Sequence, residues 1–199
     1  MSDVRVRDLA IFPLNAVLFP GGLLALRIFE QRYMEMAKAC LKNDEPFGIC
    51  LIRSGREVGA PATPEPIGCT ARIVEWDMLQ LGVLSIKARG EQRFRILEAR
   101  VTEALLTRAS VEMLPQDADS PLPEEFDACA TLLKAIFEEH GSAIVAAPLQ
   151  FDSSSWVSSR LTEMLPVPLA AKQKLLELDD AGQRIEILGK FLQQHRLAG

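Results

Sequence analysis

Across Pro115 to Pro123 the apolar residues of this chain change their spacing, from every second position to every third and fourth. A strand buries alternate side chains and a helix buries one stripe, so the change divides the fold into a β part and a helical part. The segment between, Pro115-Gln116-Asp117-Ala118-Asp119-Ser120-Pro121-Leu122-Pro123, is polar and rich in proline, and can sustain neither helix nor ladder. We therefore expect domains at 1–114 and 124–199, with a linker at 115–123.

Before the break, Leu84, Ile86 and Ala88 alternate with Ser85, Lys87 and Arg89. Past Gly90-Glu91 the pattern resumes with Phe94 and Ile96 against Arg93, Arg95 and Leu97, which reads as a hairpin turning at Gly90-Glu91. Further strands are expected near 7–14, 22–28, 47–52, 67–76 and 100–112. So many short antiparallel strands leave edges open, and closing them into a small barrel removes those edges. After the break, Pro123-Glu124-Glu125 suits a first helical turn, since proline's missing N–H costs nothing there and acids meet the helix dipole. Leu132, Leu133, Ile136 and Phe137 continue that helix to His140-Gly141. Two more helices are expected at 153–164 and 169–178. A last one begins at Asp180, with Gln183 three residues on as a capping box. The expected fold is α+β: an amino-terminal antiparallel β-barrel with one helix, then a carboxy-terminal bundle of about four helices.

The barrel's one helix follows Ile11-Phe12-Pro13-Leu14-Asn15-Ala16-Val17-Leu18-Phe19-Pro20-Gly21-Gly22 and Arg27-Ile28-Phe29-Glu30-Gln31-Arg32-Tyr33. Pro20-Gly21-Gly22 is a reversal, and the second run passes at Phe29-Glu30 into helical spacing through Tyr33, Met36 and Cys40, ending at Asn43-Asp44. Phe12, Leu14, Leu18, Phe19, Ile28 and Phe29 read as core. Arg27, Glu30, Arg32 and Tyr33 at the strand-to-helix junction have two readings: they pair with one another and fix the helix, or they form a polar rim that binds a partner.

These two ordered runs resemble the amino-terminal substrate-binding domain of Lon proteases. The resemblance continues through Pro46-Phe47-Gly48-Ile49, Ile67-Gly68-Cys69-Thr70-Ala71-Arg72-Ile73 and the Lys87-to-Ile96 stretch. It is firm over roughly 7–112. The helical half resembles the segment that follows in those proteases at Leu161-Thr162-Glu163-Met164-Leu165-Pro166 and Lys172-Gln173-Lys174-Leu175-Leu176-Glu177. The resemblance implies a PUA-like barrel and a protein-interaction module that binds other proteins or unfolded peptide segments. It looks like a free-standing version of that domain, without the ATPase and protease domains.

The residues point the same way. No GxxxxGK[ST] phosphate loop occurs in the chain, so ATP hydrolysis is not expected. Ser85 and Lys87 share a strand face, but nothing beside them in sequence suggests an oxyanion hole or a desolvated lysine. His140 and His195 sit at or near helix ends, where terminal carbonyls explain them. No catalytic residue, cofactor or metal site is therefore assigned. Cys40, Cys50, Cys69 and Cys129 are scattered over apolar faces and read as buried reduced thiols. No apolar run is long enough for a secretion signal or a membrane span, which suits a cytoplasmic protein.

Residues 1–111 hold 15 Lys+Arg and 13 Asp+Glu, net +2, whereas 112–199 hold 7 and 14, net −7, in agreement with the overall −5. The alternative function is an RNA-associated PUA-like barrel or a small enzyme. Arg72, Lys87, Arg89, Arg93, Arg95, Arg100 and Arg108 would form its cationic strip. Interleaved Glu75, Glu91, Glu98 and Glu103, and few aromatics for base stacking, argue against nucleic acid. The oligomeric state is left open.

Overall fold

The structure is a computed structural model that describes residues 6–118, 120–140 and 148–195. The chain divides into two compact units, Met1–Pro115 and Gln116–Gly199.

In the first unit the elements run β1 (Val6–Leu14), β2 (Leu23–Ile28), α1 (Gln31–Asn43), β3 (Phe47–Ser54), β4 (Thr63–Pro64), β5 (Ile67–Gln80), β6 (Val83–Val101) and β7 (Thr107–Met113). β1, β7, β6, β5 and β3 pair in that order, and β3 returns to β1, which closes the barrel. Four of these five ladders are antiparallel, while β1 and β3 run parallel, with Ile11 opposite Gly48 and Leu14 opposite Leu51. A parallel pair needs a long crossover, and the segment holding β2 and α1 supplies it. β2 lies against β6, and β4 against β3. The interior is apolar: Phe12, Phe47, Ile28, Leu84 and Ile86 are buried beside Tyr33, Met36 and Ala37 of α1. On the outside, Asp8 of β1 bonds Arg100 of β6 and Arg108 of β7. Burial pushes the Asp8 carboxyl up, but the bonds from both guanidinium groups outweigh it and hold it below the ordinary carboxylate value.

Two expectations fail here. There is no hairpin at Gly90-Glu91: β6 runs unbroken from Val83 to Val101, and the reversal is at Leu81-Gly82, where Gly82 has φ 81°. Gly90 serves proximity instead. Its N–H donates to the Gly22 carbonyl at 2.9 Å, its carbonyl accepts from Gly21 at 2.8 Å, and a Cβ there would stand 2.2 Å from the Phe19 carbonyl oxygen. Phe29, expected in the core, is 57% exposed. Ile28 takes the last inward position of β2, and Tyr33 stacks on Phe12 at 4.0 Å between ring centroids, so the core is filled without Phe29.

In the second unit α2 (Asp127–His140), α3 (Ser154–Met164), α4 (Leu169–Glu177) and α5 (Ala181–Gln194) follow a short 3₁₀ turn at Glu124–Phe126. Ser153 caps α3 by accepting from the Trp156 N–H, and Asp180 caps α5 by accepting from Gly182. Leu133, Val157, Leu161, Leu176, Ile185, Leu188 and Leu192 form its apolar interior. Fully buried among them is Arg184, whose guanidinium pairs with Asp117 and donates to Ser158 Oγ at 2.9 Å. Asp117 also accepts from Ser155 Oγ at 3.1 Å. Residues 120–122 are tied to the start of α3 and the residues just before it: Ser154 N–H donates to the Ser120 carbonyl, and Leu122 N–H to the Asp152 carbonyl.

Candidate functional site

A groove of about 200 Å³ opens on the first unit between the end of β1, strand β2, the start of α1 and the segment 55–59. Its floor is Phe12, Leu14, Ile28 and Tyr33, all buried, and at its mouth Phe29 and Val58 are 57% and 55% exposed. Among the described strands β2 has one partner, β6, so its other edge carries unpaired backbone groups, and Ala25 to Ile28 of this strand, with Phe29 just after it, line the groove. Such an edge beside an apolar trough can accept an extended chain.

The segment 55–59 is shaped by two left-handed glycines, Gly55 with φ 104° and Gly59 with φ 97°. Carboxylates hold it down. Glu57 accepts from the Asn15 N–H, and Glu30 Oε2 accepts from the Gly59 N–H at 3.5 Å. Glu30 Oε2 also accepts from Arg32 Nη2 at 3.0 Å, and Arg32 Nη1 reaches the Leu105 carbonyl at 3.0 Å. The Arg32 guanidinium lies 4.6 Å from the centre of the Tyr33 ring. Burial raises the Tyr33 phenol above its ordinary value, so it stays protonated.

Arg27, Glu30, Arg32 and Tyr33 are thus placed unequally. Arg27, Glu30 and Tyr33 line the groove. Arg32 is buried and fastens Glu30 and the turn before β7, while Tyr33 contributes its ring to the floor. Among the groove residues that sequence reasoning missed are Phe29, read as core, and Glu57 and Val58, which tertiary closure brings across from a loop. The spacing of Gly55 and Gly59 around them was the available signal.

The cationic strip is largely neutralised. Arg72 pairs with Asp44 and Glu91, Lys87 with Glu75, Arg95 with Glu112, and Arg100 and Arg108 with Asp8. Arg93 is buried, and Arg89 alone of the seven is exposed without an ion pair among the described residues. Among the described residues no group of three or more His, Cys, Asp or Glu stands together as metal ligands, and no helix is long and apolar enough to cross a membrane.

The thiols are unreactive by environment. Burial pushes Cys40 and Cys129 up to about 11 and Cys50 further still. Cys69 is wholly buried. A thiol reagent near neutral pH is expected to label the folded chain slowly and the guanidinium-unfolded chain at once. Rapid labelling of any thiol in the folded protein would contradict this.

The family pattern described as the ATP-dependent protease La (LON) substrate-binding domain matches residues 8–194. Lon protease 2 of Myxococcus xanthus is 29% identical over 199 residues, covering 94% of this chain and 24% of that protease. The chain thus spans about a quarter of the length of the curated relatives it matches. Protein cereblon of Gallus gallus is 29% identical over 103 residues, half of this chain. Among solved structures, a Lon N-terminal domain protein from Xanthomonas campestris superposes with a TM-score of 0.76 at 33% identity, covering 92% of this chain and 96% of its own. The N-terminal domain of Mycobacterium avium complex Lon protease shares the fold at 16% identity, with a TM-score of 0.62. A match that takes in the barrel, the groove and the helices alike leaves one assignment: the chain belongs to the family of ATP-dependent protease La (LON) substrate-binding domains.

Proposed function

We propose that this protein binds unfolded or extended segments of other proteins in the groove beside β2, and that it performs no bond chemistry of its own. The supporting observation is the exposure of Phe29 and Val58 at the mouth of an apolar trough that runs along an unpaired strand edge. An extended segment adds backbone hydrogen bonds to β2 and seats apolar side chains on Phe12, Leu14 and Tyr33. The family's substrate-binding role supports the reading. On this reading binding needs no ATP and takes place in the cytoplasm. The neutralised cationic strip makes nucleic acid the poorer partner.

Fluorescence anisotropy with labelled apolar peptides and a reduced, unfolded model protein tests it. Saturable binding is expected. Phe29→Asp combined with Val58→Asp is expected to weaken it about tenfold or more, since burying one Phe contributes about 1.5–3 kcal/mol. The melting temperature should barely move, because both side chains are already exposed. Absence of saturable binding, or unchanged affinity in the double variant, overturns the proposal.

A further inference from the structure

We infer that the groove prefers extended apolar segments carrying an acidic side chain, read by Arg27. This rests on the groove being the binding site. The lining holds three charged side chains, Arg27, Glu30 and Glu57, and two are already engaged. Glu30 is neutralised by Arg32, and Glu57 accepts the Asn15 N–H. Arg27 is exposed and makes no ion pair or side-chain hydrogen bond among the described residues, so its five N–H donors are unused. A carboxylate is the group that matches this planar fork, by two parallel charge-assisted bonds.

The spacing narrows the ligand further. Arg27 and the exposed Phe29 are two positions apart on extended backbone, about 7 Å. A bound strand running beside β2 has the same repeat, so an acid two positions from an apolar residue meets both at once. Glu57, on the 55–59 segment, disfavours a carboxylate on that side of the groove and confines the acid to the Arg27 wall. The ligand class is therefore an extended apolar segment with an aspartate or glutamate two residues from a large apolar side chain. A segment bearing lysine in that place is disfavoured.

Three labelled peptides that share one apolar core and carry Asp, Asn or Lys at the tested position decide the matter by anisotropy. The Asp peptide is expected to bind about fivefold tighter than the Asn peptide, with the Lys peptide weakest, and added salt should narrow the gap. Arg27→Gln should level the three affinities and Arg27→Glu should invert their order. A melting curve matching that of the unaltered protein shows that each variant is folded. Equal affinities in the unaltered protein, or an order unchanged in Arg27→Glu, overturn this inference and leave the groove reading standing. No saturable binding by any of the three overturns both. Two further outcomes also overturn it: self-association that Arg27→Glu abolishes makes the groove a contact between copies, and displacement of the Asp peptide by a single-stranded RNA makes Arg27 a phosphate contact.

Discussion

Gly90→Ala is expected to lower the unfolding free energy of the barrel unit by about 3 kcal/mol or more, at the upper end of what overpacking costs. The added methyl would meet the Phe19 carbonyl oxygen at 2.2 Å and Leu18 Cγ at 3.1 Å. Backbone, unlike a flexible side-chain end, cannot step aside. The loop carrying Phe19 is fastened to Gly90 by hydrogen bonds on both sides, from Gly21 and to Gly22, so relief of the clash breaks bonds that then lack partners. Gly82→Ala is the control. Nothing lies within 4 Å of a Cβ there, and the cost is that of placing alanine at φ 81°, about 1 kcal/mol. Urea unfolding of both variants checks the pair. Equal midpoints for the two would show that Gly90 is not needed for the close approach.

The second large effect lies in the helical unit. Asp117→Ala should cost about 3–5 kcal/mol, because it removes the carboxylate paired with a fully buried guanidinium. The Ser158 hydroxyl cannot replace it, since it brings no opposing charge. Replacing both partners tests the mechanism. With Arg184→Met added to Asp117→Ala, no buried charge is stranded, and much of the lost stability should return. Thermal unfolding followed by far-ultraviolet circular dichroism reports on these helices. A double variant no more stable than Asp117→Ala would mean that the pair acts through packing and not through charge.

What could be read from the sequence divides along physical lines. Periodicity is local, so the change of spacing around Pro115, the helices from Asp127 onward and most of the strands were legible. Closure was legible too, because the alternation left edges that had to pair. Gly90 misled because glycine has two uses, positive φ and lack of bulk, and sequence does not say which applies. It is absent from the positive-φ positions, and its role depends on a loop some seventy residues earlier. The groove was half legible. Arg27, Glu30 and Tyr33 stood out as polar or aromatic residues at a junction, whereas Glu57 and Val58 arrive from a loop about thirty residues away. Arg184 gave the weakest sign of all. It lies on the apolar stripe of α5, between Ala181 and Leu188, and its partner is 67 positions upstream.

The parallel ladder between β1 and β3 also governs how this unit comes into being. Of the strands of this unit β1 leaves the ribosome first, yet one of its two neighbours is β7, the last of them to be made. Until Met113 has emerged, the nascent chain holds a sheet with raw margins on β1 and on the far half of β6, a form prone to stick to its neighbours. Pairings this distant in sequence also make folding slow. A member of a family of substrate-binding domains must therefore pass through its own unfinished state before its binding surface exists.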